Sequence, residues 1–285
     1  MEHSPKEIRL KKVWLCMWLC CACATTSENR SLTYADEALE NFRRAEAAYE
    51  KKDWLTAQSY YERVVTKFPY SEVAASAELR LADVDYARAD SASARIRYED
   101  FVKSQPTHPK ADWAKFRVAL TYFEEMPSKF FLLPPAYEKD QTAIRAAHSS
   151  LLAFLRDYPH SEHVQEARSL LSETSKRLAR HELYVAEFYA KRKYWPAAIA
   201  RLENIARDYG DAGFEREVFL GLYQAHHALG DLSAAKESLE RLIQAHPTSS
   251  AAKEASVLLK HLKETPKPQT ESPPKPPSPK PEEAE

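Results

Sequence analysis

ALENFRRAEAAYEKKDWLTAQSYYERVVTKFP, residues 38–69, decides the fold. Its apolar residues fall three and four apart, the spacing that puts them on one face of a helix. Ala45 and Ala57 are small, so two neighbouring helices can approach until their ridges interlock. Pro69 ends the stretch. The same ending returns along the chain in FPYSE (68–72), QPTHP (105–109), YPHSE (158–162), YGDAG (209–213) and HPTSS (246–250). Positions 69, 106, 159, 210 and 247 are separated by 37, 53, 51 and 37 residues, and an alanine stands twelve places before each: Ala57, Ala94, Ala147, Ala198 and Ala235. A repeated helix pair, five times over, makes this an all-α chain.

Residues 38–69 resemble a tetratricopeptide repeat. Laid on that motif without gaps, they put Ala45 at position 8, Tyr49 at 12, Trp54 at 17, Ala57 at 20, Tyr61 at 24 and Pro69 at 32. Residues 216–247 fit as well, with Gly230-Asp231 at the turn, while Ala82, Ala119 and Ala186 also fill position 8. Tyr223 breaks the rule and predicts looser packing or a tilt in the last unit. Two irregularities interrupt the array. In the third unit MPSKFFLLPPAYEKD separates a helix near 109–126 from one near 140–157, and its prolines forbid helix. Extra residues between the third and fourth units carry no Pro or Gly and predict one long helix from about Ser161 to Lys191. The expected architecture is a superhelix of five helix-turn-helix repeats in two lobes joined by that helix. Residues 34–159 form an N-terminal lobe (repeats 1–3, insertion 127–139), and 160–263 a C-terminal lobe (repeats 4 and 5). Residues 264–285 are proline-rich, charged and poor in large apolar groups, which predicts a disordered tail.

All four cysteines, 16, 20, 21 and 23, lie beside the N-terminus, so they cannot staple distant parts of a fold. Lys6, Arg9, Lys11 and Lys12 precede a short apolar run from Val13 to Ala24, the pattern of a secretory signal, here residues 1–22. Ala22-Cys23 resembles a bacterial lipobox, with Cys20 where a leucine is usual. That resemblance implies N-palmitoyl and S-diacylglycerol groups on Cys23, with residues 23–33 as the linker after it. Cys21 is the second candidate, and plain secretion or an inner-membrane anchor the alternative. Ala24 after the cysteine resembles the pattern of lipoproteins sent to the outer membrane. With 41 basic and 42 acidic residues interspersed, no basic stripe recommends a nucleic-acid partner. No glycine occurs before Gly210, which argues against phosphate-cradling loops and so against nucleotide enzymes.

Taken together, PTHPKADWAKFRVALTY, the insertion ending YEKDQTAIRAAHSSLLAFLRDYPHSE, and RLARHELYVAEFYAKRKYWPAAIARLENIARDYG resemble the BamD family, tetratricopeptide-repeat lipoproteins of the outer-membrane β-barrel assembly machine. The resemblance covers roughly 34–255. It implies a non-enzymatic, lipid-anchored protein facing the periplasm. Its first lobe would read C-terminal targeting segments of unfolded outer-membrane proteins, and its second would dock on the last POTRA domain of a BamA-like insertase; other lipoproteins of that machine are a further class of partner. Groove positions 5 and 12 of the first three units are Phe42 and Tyr49, Leu79 and Tyr86, Phe116 and Phe123, with Leu183 and Ala190, Leu220 and His227 in the last two. An aromatic stripe suits an extended peptide, whereas the bland reading of each such residue is core. Arg201 matches the family's insertase-contacting arginine, and Arg207 follows at the helix end. Phe130 to Leu133 are expected to fold back over the first groove; contact with lipid or a partner remains open. His160, His163, His226 and His227 lack a ligand pattern, and no cofactor, metal or catalytic residue is expected. A second function stays open: a periplasmic repeat scaffold coordinating peptidoglycan synthesis with envelope constriction.

Overall fold

The computed structural model describes residues 33–127 and 135–264, and among them it is entirely helical. Eleven α-helices run in order: α1 (Tyr34–Glu50), α2 (Trp54–Lys67), α3 (Ala74–Ala87), α4 (Ser91–Ser104), α5 (Ala111–Glu124), α6 (Thr142–Asp157), α7 (Val164–Lys191), α8 (Trp195–Asp208), α9 (Glu215–Ala228), α10 (Leu232–Ala245) and α11 (Ser250–Glu264). Each packs on the next. The expected signal peptide, Cys23, the FFLL run at 130–133 and the proline-rich tail lie outside the described residues.

The repeat is visible in its caps. After the second helix of each unit, Phe68, Gln105, Tyr158, Tyr209 and His246 give their N–H to the carbonyl four residues back, and the backbone then leaves the helix. Thr33 closes the other end, exchanging bonds with Asp36 in a capping box ahead of α1. The turns inside the units share a second device. Lys52, Ala89, Lys193 and Gly230 occupy the left-handed region at φ 60°, 61°, 61° and 74°. In each case the following residue donates its N–H to a carbonyl five residues back. In three of the four that following residue is an aspartate, Asp53, Asp90 or Asp231, whose carboxylate accepts an N–H of the next helix.

Close packing follows the small residues. Ala45, Ala82 and Ala119 are fully buried, Ala186 nearly so, and Ala57, Ala94, Ala147, Ala198 and Ala235 have no exposed surface. Tyr223 is half-buried against Leu220 and Leu239 of the last cluster. On the neighbouring side Gly221 lets α9 approach α8, since a Cβ there would stand 3.0 Å from Leu202 Cδ1.

The long helix begins at Val164, because Ser161 makes a turn instead, its hydroxyl and carbonyl taking the N–H groups of His163 and Val164. Its 28 residues span roughly 42 Å. Val164 and Ala167 join a cluster with Phe116, Leu151 and Phe154. Leu178 packs with Met126, Ile144 and Ala147, and Ala179, Leu183 and Ala186 pack with Leu202, Ile205 and Leu222. One helix therefore contributes side chains to three successive clusters. Beyond the five units α11 buries Ala251 and Ala255 on Leu239 and Leu242, covering a face the last helix pair would otherwise leave open.

Candidate functional site

Helices α1, α3 and α5, the first helices of three successive units, converge on one trough. Phe42 and Tyr49 from α1, Leu79 from α3 and Trp113 from α5 line a cavity of about 610 Å³. Phe42 sits edge-on to Tyr61 with centroids 5.7 Å apart, and Tyr49 edge-on to Trp54 at 5.1 Å.

Three of the six expected groove residues are elsewhere. Phe116 is 1% exposed, stacked on His163 and against Phe154, so it belongs to the core and is removed from the groove. Its place in the repeat matches that of Phe42, but the start of the extra chain before α7 covers it. Phe123 is half-buried against the Met126, Ile144, Ala147 and Leu178 cluster. Tyr86 lies outside the cavity lining, its ring under the Arg117 guanidinium at 3.4 Å and its hydroxyl donating to Glu124. Leu79 does double duty, lining the trough while its remaining surface packs with Tyr98 and Val118.

The groove also carries a polar network that an aromatic stripe does not predict. Arg80 donates from Nε and an amino nitrogen to both oxygens of Glu46, at 2.8 and 2.7 Å, and reaches Asp83 at 3.2 Å. Tyr61 donates to Glu46. The buried Asp83 accepts from Tyr98 at 2.6 Å, and Arg117 Nε donates to that same hydroxyl at 3.2 Å. Burial and the Glu46 bond hold the Tyr61 hydroxyl far above its ordinary pKa; burial and the charge of Asp83 do the same for Tyr98. Burial, then its bond to Glu124, pushes Tyr86 up to about 12. All three phenols therefore stay protonated and serve as donors. A signal for this network was present in the sequence: Glu46 and Asp83 are one period apart, as are Arg80 and Arg117.

In the last two units the corresponding cavity is smaller, about 320 Å³, lined by Leu183, Ala190 and Leu220 beside the Arg216–Glu254 ion pair at 2.8 Å. Arg201 on α8 is held by the buried Glu182 of α7 at 3.1 Å, and Arg207 by Asp208 and Asn204 at 2.8 and 2.9 Å. The described edges of the insertion rest on α7. Arg177 donates to the Pro127 carbonyl at 3.3 Å and His181 Nδ1 to that of Tyr137 at 2.6 Å. Among the described residues no group of His, Cys, Asp or Glu could hold a metal ion, and no helix is long and apolar enough to cross a membrane.

Stacked helix pairs with small residues at their crossings, around a trough walled by aromatic and apolar side chains, define a tetratricopeptide-repeat scaffold. The family model described as YfiO, outer membrane lipoprotein, matches residues 34–242, and the chain belongs to that family, whose members are non-catalytic. It is 28% identical over 207 residues to the outer membrane protein assembly factor BamD of Vibrio cholerae, a match covering 71% of this chain and 85% of the relative. The assembly factors BamD of Haemophilus influenzae and Neisseria meningitidis are 25% and 24% identical. The first match covers 73% of this chain and 79% of the relative, the second 82% and 89%. Among solved structures, the TPR2AB-domain complex of yeast Sti1 covers 79% of this chain and 98% of its own at a TM-score of 0.36 and 11% identity.

Proposed function

We propose that this chain is a lipid-anchored scaffold of outer-membrane β-barrel assembly. The relatives' role as outer membrane protein assembly factors supports this reading, as does the family description as an outer membrane lipoprotein. The trough between α1, α3 and α5 receives an extended targeting segment of an unfolded barrel protein. Through Arg201 and Arg207, α8 docks a POTRA domain of a BamA-like insertase. N-palmitoyl and S-diacylglycerol groups on Cys23 hold the scaffold at the outer membrane, facing the periplasm. The observation that carries this is the trough itself: Phe42, Tyr49 and Trp113 line a cavity sized for peptide side chains.

The test is binding of an aromatic-ended barrel peptide, read by fluorescence anisotropy, to the full chain and to Phe42→Ala and Tyr49→Ala. Truncating an aromatic anchor removes roughly 1–2 kcal/mol, about 5- to 30-fold in Kd, with helicity unchanged. Equal loss of helicity and binding would return both residues to the core. A crosslinking pull-down from membranes tests the partners: recovery of wall-synthesis proteins in place of insertase subunits would favour the peptidoglycan-coordinating alternative. Palmitate labelling of wild type against Cys23→Ser tests the anchor, and label retained in the variant would move it to Cys21.

A further inference from the structure

The two arginines of the trough are not alike. Arg80 is fully engaged, bonded to both oxygens of Glu46 and to Asp83. Arg117 gives one bond, from Nε to the Tyr98 hydroxyl at 3.2 Å. Its guanidinium lies over the Tyr86 ring at 3.4 Å with Trp113 at 5.0 Å, and among the described residues no carboxylate pairs with it. Asp83, whose field reaches it, is already occupied by Tyr98 and Arg80. Both amino nitrogens of Arg117 are thus left for a ligand in a residue that lines the cavity. The charge count agrees. Glu46 and Asp83 supply two negative charges to the lining, against three positive ones from Arg80, Arg117 and Lys110, with His108 beside them.

We propose that Arg117 is the anion-binding residue of the trough and takes a carboxylate, the free C-terminal carboxylate of the bound segment. This rests on the peptide-binding reading above and names the group by which the segment is oriented. A guanidinium presents a planar fork that matches a carboxylate edge, and one stacked on an aromatic ring is held in place before the ligand arrives. Phe42, Leu79 and Trp113 in the same lining suit an apolar or aromatic chain end. The acidic side chain of a client would present the same chemistry, so the experiment has to separate the two.

The probe is an aromatic-ended barrel peptide in three forms: free acid, C-terminal amide, and amide with an aspartate near its end. Each is titrated against the full chain, Arg117→Gln and Arg117→Lys, with thermal melts alongside. A charge-assisted bond of this kind corresponds to about 10- to 100-fold in affinity. Wild type should lose that factor on amidation, and Arg117→Gln should bind acid and amide alike at the weakened level. Arg117→Lys, which keeps the charge without the fork, should retain part of the preference. It carries the test if the glutamine variant melts early. Equal binding of acid and amide by wild type would overturn the carboxylate assignment while leaving the groove in place. Failure of wild type to bind any form would instead overturn the groove. Rescue by the internal aspartate would transfer Arg117 to a side-chain carboxylate and overturn the chain-end assignment. An unchanged amidation penalty in Arg117→Gln would remove Arg117 from the site.

Discussion

Replacing Arg201 tests docking and folding at once, and the structure says how to separate them. The Arg201 side chain is 39% exposed, but its partner Glu182 is 11% exposed and bonds to it at 3.1 and 3.4 Å. Removing one member of a fully buried pair costs about 3–5 kcal/mol, because the remaining charge is left without compensation. The partial exposure of Arg201 lets water recover some of this, so Arg201→Ala should cost roughly 1–3 kcal/mol. In a domain of this size that is a fall of about 2–10 °C in Tm. Arg201→Glu should cost more, since it sets a second carboxylate against Glu182. Glu182→Gln in either background should restore most of the loss. Thermal melts followed by helical circular dichroism give the four corners of a double-mutant cycle, and a POTRA pull-down is run on the same proteins. Docking lost in Arg201→Ala/Glu182→Gln, with its melting temperature recovered, identifies a contact. Docking lost only in the unstable single variants reports damage to the fold. If Arg201→Ala melts within about half a degree of wild type, Glu182 does not depend on its partner and the reasoning fails.

Three further outcomes follow from the packing. Ala89 is exposed and held at φ 61°, where a side chain costs roughly 1–2 kcal/mol and glycine gives back about half of that through its freer unfolded chain. Ala89→Gly should therefore raise stability by about 0.5–1 kcal/mol, read as a higher urea midpoint with an unchanged m-value; a lower midpoint would contradict the strain. Tyr98→Phe deprives the buried Asp83 of a donor and Arg117 of its hydrogen bond to the hydroxyl, and should cost about 1–3 kcal/mol in urea denaturation, with helicity at low denaturant kept. Burial lowers the pKa of His148 below its ordinary 6.5, partly opposed by Asp208. The unfolded chain then binds the proton more readily in the window just below that value, so stability drops as pH falls through it. Between about pH 7.5 and about pH 5.5 wild type should lose more stability than His148→Gln, and parallel curves would exclude His148 as the cause.

The helix pairs were legible because each depends on its own residues. Alanines at the crossings, prolines after the second helix, and the unbroken run before Lys191 act within one unit, and the structure places helices where they indicate. The trough was legible only in part. Phe42 and Phe116 hold the same place in their units, yet one faces the cavity and the other is sealed under His163, a neighbour set by the irregular chain between repeats. No periodicity within a unit encodes that. The Glu46–Arg80–Asp83–Tyr98–Arg117 chain left only the spacing of its charged members in the sequence, for a related reason. Charged residues on a helix ordinarily point to water; Arg80, Asp83 and Tyr98 meet within one unit, and the angle between successive units brings Glu46 and Arg117 to them. The shortage of glycine argues against phosphate loops. Its structural counterpart is the set of turns in which Lys52, Ala89 and Lys193 adopt a conformation glycine would take more easily.

The shared helix α7 has a mechanical consequence. Its side chains belong in turn to three hydrophobic clusters, so it works as a keel, and bending the array at mid-length would break backbone hydrogen bonds as well as contacts. Severing the backbone anywhere between Val164 and Lys191 would deprive at least one cluster of a wall, and neither fragment would inherit a finished interior.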